Sequence, residues 1–109
     1  MAAEWMLAGG LVLACACPAL AQDIPAGREK AQQCSLCHGE LGIAVAPNAP
    51  NLAGENAAYV AAQLRAFRDG TRTHHQMTII ASGLSDADIA DLAAWFAAIK
   101  VEATAPEID

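Results

Sequence analysis

The residues with the most specific chemistry form one short run, Cys34-Ser35-Leu36-Cys37-His38. Positions three apart lie on the same face of a helix, so the two thiols are placed to bond the two vinyl groups along one edge of a porphyrin. His38 follows at once, and its imidazole can swing under the ring to the iron. A C-x-x-C-H pattern is typical of haem attachment. The run therefore predicts one covalently bound haem c, held by Cys34 and Cys37, with His38 on the iron.

Three other uses of a C-x-x-C pair fit the sequence less well. A thioredoxin-like redox pair opens a helix within a βαβ pattern, and this sequence has no convincing strand. A zinc knuckle needs a second pair of ligands, and the adjacent His74 and His75 have a poor spacing for chelation. A disulfide between Cys34 and Cys37 would close too small a loop to contribute much to stability.

Met77 is the candidate for the second iron ligand. Met1 and Met6 lie in the N-terminal leader, so Met77 is the one thioether in the rest of the sequence. A Met without a special role usually fills a gap in a core, but this one lies in a polar loop between two predicted helices. A thioether suits low-spin iron and raises its reduction potential. Ligation by His74 or His75, and an open iron site, remain alternatives, although the two His residues are more simply interpreted as solvated loop residues.

The sequence predicts helices around these residues and no strand. The indications are a Pro in a first turn, an apolar stripe at spacings of three and four, and a Ser N-cap with an Asp three residues later. These patterns predict helices over 24–34, 56–69 and 85–100. The intervening stretches, 39–54 and 71–84, are predicted to be loops. The expected fold is all-α, with helices packed around one covalently attached haem.

The first residues, 1–21, predict a signal peptide that is removed on export. Residues 5–21 carry no charge and end in Ala-Leu-Ala at 19–21, the small-x-small pattern of a signal peptidase site. The run is shorter than the roughly 20 residues that a membrane span needs. Two alternatives stay open, which are retention as an N-terminal membrane anchor and lipidation of Cys15 or Cys17. The expected location is the periplasm.

Composition limits the remaining chain to one domain, predicted over 22–109. The formal net charge of −6 argues against nucleic acid and anionic lipid as partners. It favours a redox protein with a basic docking patch instead. Alanine supplies much of the 55% hydrophobic content, so large apolar side chains are few. A small domain with such a core needs a further source of stability, and a bound cofactor is one.

From Gly27 to Lys100 the sequence resembles the class I bacterial cytochromes c, especially short monohaem periplasmic members and single halves of two-domain dihaem members. The matching motifs are Cys-x-x-Cys-His-Gly at 34–39, Pro-Asn-Leu-Ala-Gly at 50–54, Phe-Arg-Asp-Gly at 67–70, Met77 ahead of Leu84, and Leu-Ala-Ala-Trp-Phe at 92–96. Two departures stand out. Trp95 replaces a Tyr that members often carry, and the His74-His75 pair is not a family pattern.

The resemblance implies the small class I cytochrome c fold and further residues of the site. The carbonyl of Pro50 is expected to accept a hydrogen bond from the Nδ1–H of His38, and Leu52 is expected to pack on the haem. Gly27 is expected to let the first and last helices cross closely beside Trp95.

The resemblance also implies single-electron transfer, with the iron cycling between its ferric and ferrous states. No substrate is expected, so the protein is not an enzyme by itself. Its partners would be cytochrome complexes, oxidases or dehydrogenases that dock where the haem edge is exposed. One alternative is the cytochrome c subunit of a periplasmic dehydrogenase or oxidase complex. Another is a sensor or peroxidase, which would require that Met77 not ligate. Arg72 and Tyr59 are candidate contacts of the haem propionates.

Overall fold

The structure, a computed structural model, describes Met1, residues 9–16 and residues 22–109. Its helices are α1 (Ile24–Lys30), a 3₁₀ segment (Ala31–Cys34), α2 (Ser35–His38), α3 (Ala57–Asp69), α4 (Met77–Ser82) and α5 (Asp86–Ala98). These described residues contain no strand, so the all-α prediction is confirmed for them. No helix among them is long and apolar enough to cross a membrane. The predicted cleavage site at 19–21 and most of the predicted leader lie outside the described residues.

Helices α1 and α5 cross very closely. A Cβ placed on Gly27 would clash with the backbone carbonyl of Asp91 and lie 2.9 Å from the Cβ of Trp95. Only a residue without a side chain fits there. The guanidinium of Arg28 covers the same contact, 5.8 Å from the centre of the Trp95 ring. The close crossing predicted at Gly27 is therefore confirmed.

The two longest helices have the capping residues that the sequence indicates. The side chain of Asn56 accepts a hydrogen bond from a first-turn N–H of α3, and Gly70 ends this helix with a φ of 81°. Ser85 and Asp88 form a reciprocal capping box at the start of α5. This helix ends at Ala98, two residues before the predicted end.

Two predicted boundaries are wrong. The predicted loop 71–84 contains the six-residue helix α4, and the helix predicted to end at Cys34 continues through the 3₁₀ segment into α2. A helix of fewer than two turns shows no repeating apolar stripe. The residue before α4, Gln76, also makes no side-chain capping bond, so the usual start signal is missing.

The hydrophobic core is thin and is built mainly on α5, with side chains of α3 packed against it. Its buried members are Ala31, Leu84, Ile89, Leu92 and Phe96. Among the described residues, the largest side chains that are fully buried are Ile89 and Leu92. Cys34, Leu52 and Trp95 pack against this cluster and are partly buried. The attachment motif therefore begins at the edge of the core.

A cluster of charged residues also ties α1 to α5. Asp91 is 6% exposed. It accepts hydrogen bonds from the Nζ of Lys30 at 2.7 Å and from the N–H of Asp23 at 2.9 Å. Lys30 also pairs with Asp88 at 2.9 Å. The bond from Lys30 and that from Asp23 lower the pKa of Asp91. The backbone N–H of Ser85 and then Lys30 lower the pKa of Asp88.

Candidate functional site

The predicted attachment motif occupies one continuous helical turn. Cys34 is the last residue of the 3₁₀ segment, and Cys37 and His38 lie in α2. Gly39 ends α2 with a φ of 80°, and a Cβ on this residue would clash with the carbonyl of Ile43. The chain can therefore turn back directly after His38. The three residues that the sequence assigned to haem attachment thus lie on two consecutive helical segments, and their roles in attachment stay predictions.

The His38 ring is buried and held by one hydrogen bond. The side chain is 8% exposed, and its Nδ1 lies 2.8 Å from the carbonyl oxygen of Pro50. A carbonyl oxygen only accepts, so the ring proton is on Nδ1 and the lone pair of Nε2 is left for a metal. The hydrogen bond that the sequence predicted is present. The roles of His38 as an iron ligand and of Pro50 as a haem contact stay predictions.

The loop that carries Pro50 is fixed by its own hydrogen bonds. The carbonyl of Gly42 accepts from the N–H of Leu52 at 2.7 Å. The side-chain oxygen of Asn51 accepts from the N–H of Ala44, also at 2.7 Å. These bonds join the part of the loop before Pro50 to the part after it. Its carbonyl is thus a fixed support for the His38 ring, and Leu52 is turned toward the core.

The two thiols of the motif are unpaired, and the surroundings of Cys34 differ from those of a redox thiol. Burial raises the pKa of the Cys34 thiol to about 11. Thiol–disulfide exchange depends on a lowered pKa, so the surroundings of Cys34 oppose that use. Two unpaired thiols and a neutral imidazole with a free Nε2, all within one helical turn, are the donor set that covalent haem attachment requires. The residues present therefore fit the group.

Met77 is the first residue of α4 and is partly buried. His74 has a role here that the sequence did not reveal, because its Nδ1 accepts hydrogen bonds from the N–H groups of Gln76 and Met77. The interpretation of His74 as a solvated loop residue is therefore wrong. His75 is exposed, and its ring centre lies 4.4 Å from that of His74. A polar side chain shortly before a helix is a capping signal, but His is not among the usual caps.

Arg72 and Tyr59, the candidate propionate contacts, are not brought together by any described contact. The guanidinium of Arg72 donates to the side-chain oxygen of Gln63 at 2.7 Å and lies 4.5 Å from the centre of the Phe67 ring. Tyr59 is 53% exposed. Their propionate roles stay predictions. Across Met1, 9–16 and 22–109, no group of three or more His, Cys, Asp or Glu residues is arranged to hold a metal ion.

Comparison with known proteins gives matches that cover most of the chain. Residues 24–100 match the family model described as cytochrome c. Among solved structures, reduced recombinant cytochrome c4 from Pseudomonas stutzeri aligns with a TM-score of 0.68 and 37% sequence identity. The alignment covers 73% of this chain and 47% of that one. The fold class predicted from the sequence is confirmed by this likeness.

Three curated relatives differ in how much of their own length this chain covers. Cytochrome c4 of Pseudomonas aeruginosa is 46% identical over 81 residues, which are 74% of this chain and 40% of the relative. Cytochrome c-554(548) of Halomonas halodenitrificans is 46% identical over 79 residues, or 70% of this chain and 95% of the relative. A thiosulfate dehydrogenase electron acceptor of Stutzerimonas stutzeri is 39% identical over 75 residues, or 66% and 35%. The chain thus spans less than half of cytochrome c4 and of the thiosulfate dehydrogenase electron acceptor, but nearly all of cytochrome c-554(548).

Proposed function

Because the chain belongs to the cytochrome c family, we propose that it carries single electrons through one haem c, whose iron would be held by His38 and Met77. Family membership gives the domain a covalently bound haem c and electron transfer as its activity, and its relatives are cytochromes and not enzymes. The family, the kind of cofactor and the class of activity predicted from the sequence are confirmed. The number of haems, the ligands, the partners and the location belong to the proposal.

The observation that carries the proposal is the orientation of His38. Its Nδ1–H is used by the Pro50 carbonyl, so the Nε2 lone pair is the one available to a metal. Such a bond fixes the ring and makes the imidazole a better donor. When bound, the haem iron supplies the ferric–ferrous couple. Cys34 and Cys37 would hold the haem covalently, and Met77 would supply the second iron ligand and raise the potential.

One haem for this chain follows from its single C-x-x-C-H motif. The chain also aligns with 95% of cytochrome c-554(548). We place the haem domain at 22–109 and the leader at 1–21. Attachment of haem to thiols takes place outside the cytoplasm, which supports export to the periplasm. N-terminal sequencing of the purified protein should give a start near Gln22, whereas a start at Met1 or an acylated Cys15 would contradict cleavage at Ala21.

The experiment that tests the attachment is the intact mass of the purified protein. We expect the mass of the mature polypeptide plus one haem, and acid-acetone extraction should leave the colour on the polypeptide. The double variant Cys34→Ala/Cys37→Ala should carry no haem, while each single variant should mature poorly. Release of the haem into the solvent from the unaltered protein would contradict covalent attachment.

The experiment that tests the function is a potentiometric titration of the same protein. The absorption spectrum should change reversibly with a slope of one electron, without any substrate. A reduced protein that consumes peroxide in many turnovers, or an iron that binds carbon monoxide at once, would instead indicate an open site and an enzyme or sensor.

A second candidate function is that of an electron-accepting subunit. It is favoured by the relative named a thiosulfate dehydrogenase electron acceptor, which is 39% identical over the aligned residues. A cytochrome in that role would copurify with a larger polypeptide, or be reduced by it, under mild conditions. A protein that purifies alone and is reduced by no periplasmic dehydrogenase fraction would exclude this candidate.

A further inference from the structure

His74 closes a hydrogen-bonded turn around Met77. Its Nδ1 accepts from the N–H groups of Gln76 and Met77, each at 3.2 Å. Its own N–H donates to the hydroxyl oxygen of Thr78 at 2.9 Å, and its carbonyl accepts from the N–H of Thr78 at 3.1 Å. Residues 74–78 are thus bonded to one another on both sides of Met77.

The ring of His74 acts as the cap of α4. The first N–H groups of any helix lack partners inside the helix, and Gln76, the residue that precedes α4, supplies no side-chain bond. Because backbone N–H groups only donate, Nδ1 of His74 is the acceptor and the ring proton is on Nε2. His74 therefore does for α4 what the side-chain oxygen of Asn56 does for α3.

The arrangement fixes the backbone from which the Met77 side chain starts. Met77 is the first residue of α4, and its own N–H is one of the two groups that His74 holds. Without an acceptor at this position, both N–H groups would lose their protein partner and the first turn of α4 would open more easily. A ligand carried on that turn would then leave its metal more often.

We propose that His74 is a positioning residue for Met77. Its imidazole holds the first turn of α4 in the conformation that presents the Met77 thioether to the iron. This inference rests on the proposed function, since it takes Met77 as the axial ligand. The side chain of His74 touches the backbone of Met77 and acts through it.

Two variants of nearly equal shape test whether the hydrogen-bond acceptor on residue 74 positions Met77. Asn and Leu have nearly the same outline, but Asn places an oxygen where Nδ1 of His74 lies, and Leu does not. In the ferric holoprotein, cyanide can bind only when the axial ligand leaves, so its affinity reports how often Met77 departs. Loss of a cap of ordinary strength predicts about 5-fold tighter cyanide binding in His74→Leu, and His74→Asn should remain within about 2-fold of the unaltered protein. His75→Leu, which changes the exposed neighbour, is the control and should leave cyanide affinity unchanged.

Met77→Ala separates the two proposals. If this variant loses the weak far-red sulfur-to-iron band while His74→Leu gains cyanide affinity and His74→Asn does not, both proposals are supported. If Met77→Ala leaves the band and the cyanide affinity unchanged, both fail. If it abolishes the band but His74→Leu binds cyanide as the unaltered protein does, only the positioning role of His74 is overturned. The same holds if His74→Leu merely lowers the melting temperature, or if His75→Leu has the same effect on cyanide binding.

Discussion

At the scale of single residues, charges that meet between α1 and α5 make the fold sensitive to pH. Lys30 donates to Asp91 and Asp88, which lowers the pKa of both carboxyl groups below the ordinary value of 3.8. The same two bonds, of which the bond to Asp91 has the larger effect, raise the pKa of Lys30 above its ordinary value of 10.5. A carboxyl group whose pKa is lower in the folded than in the unfolded state stabilises the fold at pH values above its unfolded pKa. This stabilisation is lost as the pH falls through the folded pKa. Because its pKa is raised, Lys30 stabilises the folded state at pH values below 10.5. This stabilisation is lost as the pH rises through the folded pKa of Lys30.

We therefore expect Lys30→Met to lower the free energy of unfolding most in the range between about pH 5 and 9, where all three groups are charged. The difference from the unaltered protein should shrink below about pH 4 and again at strongly alkaline pH. Denaturant unfolding of both holoproteins at a series of pH values measures this difference in the free energy of unfolding. Lys100→Met is the control, since Lys100 is exposed and has no ion pair within the described part of the chain. A difference that does not depend on pH would contradict the assignment.

At the scale of helices, the account depends on how closely α1 and α5 approach at Gly27. Gly27→Ala should destabilise the protein by roughly 1–3 kcal/mol, the usual cost of overpacking, because the added methyl group meets the Asp91 carbonyl. Gly83→Ala is a matched control. Gly83 has a φ of −89°, and an added Cβ would lie 3.7 Å from its nearest neighbour, the carbonyl oxygen of Ile80. Thermal unfolding of both holoproteins checks this, and equal melting temperatures for the two variants would show that the crossing tolerates a side chain.

The helices show what the sequence can and cannot predict. The caps at Asn56 and Ser85 are local signals, so the starts of α3 and α5 are predictable from the sequence. Haem attachment at Cys34 is likewise predictable from residue spacing alone. By contrast, α4 is too short for a periodic pattern and is capped by His74, whose ring reaches forward from outside the helix. The bond is local, because His74 lies only two and three residues before the N–H groups that it accepts from. His is not among the preferred capping residues, so its presence there is not a start signal.

At the scale of the whole molecule, net charge should govern the rate of encounter with partners. The formal charge of −6 should attract cations and repel anions over roughly one Debye length, about 8 Å at physiological salt. A partner with a basic docking patch is the biological counterpart that we propose.

Small inorganic redox reagents test this charge effect without a known partner. The rate of electron transfer with a cationic reagent should fall as salt is added, and the rate with an anionic reagent should rise. A neutral reagent is the control and should show little dependence. Stopped-flow measurement at several ionic strengths gives the slopes, and a rate with the cationic reagent that rises with salt would mean that the exposed haem edge is locally basic.

The central claim is that electrons pass through a haem ligated by His38 and Met77, and the reduction potential tests it most directly. Met77→His replaces a weak thioether donor with an imidazole while keeping six ligands, so the ferric state should gain stability and the potential should fall. We expect one reversible single-electron transition in both proteins, with a clearly lower potential for Met77→His and with the far-red band present only in the unaltered ferric protein. Identical potentials for the two proteins, with no far-red band in either, would contradict the account and point to His74 or His75 as the ligand.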